Sequence, residues 1–194
     1  MDRSNGYEGV AQEFLARRGR GRSTGSGVSE VREWARTLPS GSTVLDLGCG
    51  PGFPITEVLV AEGLQVFGVD ASPSFVDAFR RNLPDVAVIC EAVQASSFFD
   101  RTFDAALAWG LMFLLSAEDQ VHLIQRISGI LAPNGRLLFT APAQAHVWND
   151  AMTGLESRSL GAEEYRRQLI AAGFAVLREY EDAGENYYYD AILQ

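Results

Sequence analysis

Three glycines at alternate positions, Gly48, Gly50 and Gly52, follow the apolar run Val44-Leu45-Asp46-Leu47 and precede a helical pattern over 54–61. A strand that enters a glycine turn and leaves as a helix presents its backbone to a ligand, because glycine takes positive φ and allows close approach to the main chain. Asp46 stands just before the turn and can fix its amides or accept a hydrogen bond from a cationic ligand group. The next apolar run, 66–69, ends on a second acid, Asp70. An acid at the tip of the second strand of a doubly wound sheet holds ribose hydroxyls. Asp70 also precedes Ser72-Pro73, where it could serve only to cap a helix. Together these residues describe a nucleoside site.

The elements that must position this site follow from periodicity. Tyr7, Val10, Ala11, Phe14 and Leu15 recur at helical spacing, which predicts an amphipathic helix over 7–18. A Gly-Ser-Arg loop follows over 19–27, then a helix over 30–38 capped by Ser29. Strands are expected at 43–47, 65–69, 87–89, 103–108 and 136–140, and helices at 54–61, from Ser72-Pro73 onward, and at 118–131. A long connection, 141–159, leads to a helix over 162–172 and to two alternating runs, 174–180 and 187–193, that read as a hairpin. Alternating strands and helices imply a mostly parallel sheet covered on both faces.

The run VLDLGCGPG at 44–52, followed by VFGVDAS at 66–72, resembles the first motif and the acidic post-motif of class I S-adenosylmethionine-dependent methyltransferases. FDAALAW at 103–109 resembles that family's fourth strand, and LAPNGRLLFT at 131–140 its fifth with the preceding turn. The likeness runs from about residue 28 to residue 194. A dinucleotide oxidoreductase is the weaker match, because G-x-G-x-x-G sets its third glycine one place later. The resemblance implies an α/β fold: a Rossmann-like, doubly wound, mostly parallel seven-stranded sheet in the order 3-2-1-4-5-7-6, with strand seven antiparallel. The amphipathic helix with its Gly-Ser-Arg tether reads as a lid helix and flexible loop, 1–27, ahead of the methyltransferase domain, 28–194, given by the resemblance.

It further implies S-adenosyl-L-methionine as cofactor and transfer of its methyl group to oxygen, nitrogen or carbon of a small-molecule acceptor. The alternative is a cofactor-binding accessory or sensor protein without transfer. By the same resemblance Asp46, Gly48, Cys49, Gly50 and Gly52 face the methionine part, Asp70 the ribose, and Ala71 with Phe75 the adenine. Glu91 and Ala92 follow strand three near the adenine amino group. Trp109 ends strand four, as a wall of the cofactor and acceptor sites or as plain core. Arg18 or a neighbouring arginine is the candidate partner of the cofactor carboxylate.

For the acceptor, the topology brings the loop after strand five and the last hairpin turn to one edge. His146 and Tyr187 are the catalytic candidates, His146 as a base or as an ordinary loop histidine. Trp109, His146, Trp148, Asp182, Glu185 and Tyr187 are the candidate acceptor contacts; the two acids favour a cationic acceptor or simply solvate a turn. A net charge of −9 argues against nucleic acid as the main partner. Two isolated cysteines and two histidines offer no closed metal site, and reduced thiols fit a cytoplasmic setting. No apolar run is long enough for a membrane span, and a monomer or homodimer is expected.

Overall fold

The computed structural model describes residues 3–17 and 27–194. Arg18 and the loop up to Ser26, singled out from sequence, lie outside the described residues. The described residues form nine strands and six α-helices: α1 (Tyr7–Arg17), α2 (Val28–Ala35), β1 (Thr43–Leu47), α3 (Ile55–Ala61), β2 (Gln65–Asp70), α4 (Pro73–Asn82), β3 (Ala87–Cys90), β4 (Phe103–Ala108), α5 (Ala117–Ser128), β5 (Leu131–Thr140), β6 (His146–Asn149), β7 (Glu156–Ser159), α6 (Ala162–Ala171), β8 (Phe174–Glu181) and β9 (Tyr187–Leu193). Seven strands form one sheet in the order β3-β2-β1-β4-β5-β9-β8. β3, β2, β1, β4 and β5 run parallel, while β9 pairs antiparallel with both β5 and β8. With β8 and β9 counted as strands six and seven, this is the order the sequence resemblance implies.

Side-chain alternation along the strands builds two cores. Leu45, Leu47, Ala106, Leu137, Phe139 and Tyr189 face α5 and α6, where they meet Leu123, Ile124, Ile127, Tyr165 and Leu169. Val44, Ala105, Leu107, Leu138 and Tyr188 face the other way, toward Val31 and Trp34 of α2 and Val58 and Leu59 of α3. A strand buried on both faces must be apolar almost throughout, as β4 is. The near end of the sheet is stitched by Asp104, whose Oδ2 accepts from Thr43 N (2.8 Å) and Thr43 Oγ1 (2.9 Å). At the far end Gly110 N donates to Thr140 Oγ1 (2.8 Å), holding the tips of β4 and β5 together.

Three local expectations are corrected. The second helix begins at Val28 on Gly27, whose φ of 84° starts it without a side-chain cap; the Ser29 hydroxyl donates to Glu30 instead. The helix expected over 118–131 is capped by Ser116 and stops at Ser128, because Leu131 already pairs with Phe103 at the start of β5. The connection 141–159 is no open loop: β6 and β7 pair antiparallel as a separate two-stranded sheet. Its side chains alternate polar and apolar too weakly to announce a strand.

β9 is pinned by a buried ion pair. Arg136 of β5 donates to Asp190 at 2.6 and 2.8 Å, and Asp190 is 1% exposed. Arg178 Nε lies 3.6 Å from the same carboxylate, so removing Asp190 leaves two arginines facing each other's charge without their acid. Asp190→Ala should therefore lose about 3–5 kcal/mol of stability, read as a lower urea midpoint at an unchanged slope.

Candidate active site

A cavity of about 310 Å³ opens where β1, β2 and β4 end. Ligands of open α/β sheets bind at this edge. One end is the glycine turn. Gly50 has φ 54° and open space where a Cβ would stand, so its backbone borders the cavity bare. Its N–H donates to Asp70 Oδ2 (2.9 Å), and Asp70 Oδ1 accepts from Ser72 N (2.8 Å). Gly48 N and Cys49 N both donate to Val69 O (2.8 and 3.2 Å). The turn is thus held rigid from β2. Gly48 sits under Leu111, and Cys49 lines the cavity as a buried thiol. Gly52 does not border the cavity; a Cβ there would meet Leu83 at 2.8 Å and Phe79 at 3.1 Å, so its bareness serves packing.

Two acids face this end. Asp46 is buried and accepts from Thr56 Oγ1 (2.6 Å). Burial, opposed by that bond and reinforced by the charge of Asp70, pushes its carboxyl up to about 7. Burial likewise raises Asp70 to about 6, against its two amide hydrogen bonds. Asp46 accepts the one bond from Thr56 and Asp70 accepts two, which leaves lone pairs on both carboxylates for a ligand.

The roof comes from α1. Glu8 accepts from Ser74 N (3.1 Å), Ser74 Oγ (2.7 Å) and Ser72 Oγ, at the head of α4 where backbone N–H groups lack helical partners. Phe14 packs on Phe75 with ring centres 4.9 Å apart, and Tyr7 reaches Asp150 of the β6–β7 turn through its hydroxyl (3.2 Å). Tyr7, Phe14, Phe75 and Ala71 all line the cavity. Glu8 had no signature in sequence, because its partners lie 64 and 66 residues away.

Other expected contacts are placed elsewhere. Glu91 accepts from Ser97 N (2.9 Å) and, with Ala92, lines an adjoining groove; Val93 and Gln94 of that segment line the cavity instead. Trp109 does line it. The acceptor-side set does not gather there. His146 is exposed and stacks on Trp148 at 4.5 Å, and Trp148 reaches only Phe113, itself a wall residue. Tyr187 points to the α6 side, its hydroxyl donating to Glu179 (3.0 Å). Asp182 closes its own turn, accepting from Gly184 N, Asn186 N and Tyr188 OH, while Glu185 is exposed. Only Asn186 of that turn borders the cavity. The period-two alternation of β9 sends Tyr187 and Tyr188 to opposite faces, and Tyr188 is the one that meets Trp109, accepting from its Nε1 (3.1 Å). Phe53 and Phe113 are further wall residues that spacing did not reveal. Among the described residues no group of three or more His, Cys, Asp or Glu could hold a metal, and no helix is long and apolar enough to cross a membrane.

The two raised carboxyls fix the sign of a pH effect. Native Asp46 and Asp70 bind protons that the unfolded chain has released between about pH 4 and their folded values near 7 and 6, so their contribution to stability is lost as pH rises through that window. Asp46→Asn removes the larger part. The variant should gain on the wild type by a few kcal/mol, to order of magnitude, on going from about pH 5 to pH 8. Parallel thermal or urea unfolding curves at the two pH values, giving an unchanged difference, would refute this.

A family described as a methyltransferase domain matches residues 44–135. The 27-O-demethylrifamycin SV methyltransferase of Amycolatopsis mediterranei is 31% identical over 152 residues, covering 70% of this chain and 55% of that protein. A tRNA U34 carboxymethyltransferase of Idiomarina loihiensis is 27% identical over 120 residues, 55% of this chain and 36% of that one. The chain spans about half or less of the length of these curated relatives. Among solved structures, magnesium protoporphyrin IX methyltransferase from Synechocystis with bound SAH overlays on 100% of both chains at a TM-score of 0.80 and 14% identity, a likeness of fold. Sheet order, glycine turn and these likenesses agree: residues 44–135 match a methyltransferase domain, and the seven-stranded sheet has the Rossmann-like methyltransferase fold.

Proposed function

We propose that the protein transfers the methyl group of S-adenosyl-L-methionine to a small-molecule acceptor. The observation that carries this reading is the pairing of the bare Gly50 backbone with Asp70 at one end of a cavity that extends well beyond them. When bound, the cofactor supplies an electrophilic methyl on a sulfonium, open to in-line attack. The chain's own part is alignment and exclusion of water. Asp70 would take the ribose hydroxyls while still holding Gly50 and Ser72. Asp46, buried beside the turn, would meet the amino group of the methionine part, which would draw its carboxyl down into the ionised form. Phe75 and Ala71 would flank the adenine, with Gln94 rather than Glu91 at its polar edge. The net charge of −9 supports a small acceptor over a nucleic acid for this chain.

Residues 7–17 would act as the lid over this site. Glu8 fastens α1 to the head of α4, two residues beyond Asp70, and Tyr7 fastens it to the β6–β7 turn. Lid and cofactor site therefore share α4.

Calorimetry with S-adenosylmethionine, its demethylated product and NAD tests the reading: the first two should bind, and NAD binding of equal strength would overturn it. Asp70→Ala should weaken the cofactor by about 1.5–3 kcal/mol for each charge-assisted bond lost. Hydrogen exchange should show added protection over residues 7–17 on cofactor binding; unchanged exchange there would remove the lid.

A further inference from the structure

We propose that the acceptor is an apolar, ring-bearing acid: an aromatic carboxylate, or a phenol already ionised to its phenolate, that brings its own anionic oxygen and needs no base from the protein. The proposal rests on the methyl-transfer reading and names the acceptor class of that same site.

The first observation is the wall. Beyond the glycine turn and Asp70, the cavity is bounded by the rings of Tyr7, Phe14, Phe53, Trp109 and Phe113. Flat, apolar walls select flat, apolar ligands, since aromatic pairs gain from ring contact beyond area burial. Trp109 is held firmly. Its Nε1 donates to Tyr188 OH, and Tyr188 is buried and tied on to Asp182 (2.9 Å). On its other side Gly27 lies so close that a Cβ would stand 2.4 Å from the indole nitrogen. An indole clamped at that edge is a fixed part of the cavity wall.

The second observation is which charges the wall lacks. The chain contains no lysine, and its two histidines, His122 and His146, are both exposed and away from the cavity. Between Arg17 and Gly27 the sequence holds three arginines and neither an acid nor a histidine. The only carboxyls among the described lining residues are Asp46 and Asp70, at the glycine-turn end and bonded to Thr56, Gly50 and Ser72. Tyr7 OH is engaged with Asp150, and a phenol is a poor base near neutrality. Among the described lining residues, none beyond Asp46 and Asp70 at the glycine-turn end is suited to take a proton from an acceptor.

The third is which donors it offers. Arg3 lines the cavity with no acid partner among the described residues, and Asn5 Nδ2 is buried with no hydrogen-bond partner. Both lie on the strap that precedes α1. An anion satisfies them, whereas an ammonium would face an arginine and a sulfonium, with Asp46 and Asp70 held at the glycine-turn end. The step then balances without a base: an oxyanion lone pair forms the O–C bond, the C–S bond breaks, and its electron pair returns to sulfur. No proton is left over.

The test uses the whole protein saturated with S-adenosylhomocysteine, whose binding is measured first; its failure to bind would remove the methyl-transfer reading, and this proposal with it. Calorimetry then compares 2-naphthoate with 2-naphthylmethylamine, the same ring with opposite charge. Naphthoate should bind about tenfold or more tightly than the amine. Arg3→Gln should remove most of that advantage, and Phe113→Ala should weaken both probes. With S-adenosylmethionine, mass spectrometry should find the methyl ester of naphthoate or the methyl ether of 2-naphthol, at a rate that follows the acceptor's own ionisation. Equal or tighter amine binding overturns the proposal, as does no binding of either ring to the S-adenosylhomocysteine complex.

Discussion

Asp70 holds two backbone amides that belong to different elements, Gly50 N in the turn after β1 and Ser72 N at the head of α4. One carboxylate thereby sets the distance between the glycine turn and the fourth helix. The positive φ of Gly50, the start of α4 and the seating of α1 through Glu8 all lean on that pair of bonds. A site assembled this way is preorganised: its polar atoms already point where a ligand can reach them, and little is reordered on binding.

That arrangement has a thermodynamic cost. Two carboxyls, Asp46 and Asp70, are kept side by side in a place that disfavours their charge, and each is raised by burial rather than relieved by an arginine. The contrast with Asp190 is instructive. It is as buried as Asp46, but it is matched by Arg136 at 2.6 Å. One acid serves the fold and carries its counter-ion with it. The other two are left without a cation, as expected of groups whose partner arrives with the ligand.

The architecture could be read from sequence because its signals are local. Thr43 to Ile55 carries a strand, a turn and a helix start within thirteen residues, and Asp70 ends a run of apolar residues at the expected interval. Ser72 and Pro73 announced α4 by cap chemistry alone, and Ser72 Oγ accepts from Phe75 N as that chemistry requires. The outer wall was illegible because its contacts are distant in sequence. Trp109 meets Tyr188 across 79 positions, and Tyr7 meets Asp150 across 143. His146 and Trp148 looked available only while the segment around them read as a loop; strand pairing with β7 fixes them on a surface of their own. Tyr187 and Tyr188 are adjacent and chemically alike, so composition could not say which would turn toward Trp109.

β9 follows β8 in the chain but stands between β5 and β8 in the sheet. β8 therefore has no strand to pair with until residues 187–193 are available, and β5 keeps an open edge until the same moment. During synthesis, the five parallel strands can assemble while the last two wait. The exposed edge of β5 over that interval is apolar, Leu137-Leu138-Phe139, the kind of edge that invites association with other chains. Tyr188, which fixes Trp109, arrives on the strand that closes this edge. The chain thus completes its cavity wall in the same event that ends its vulnerability to aggregation.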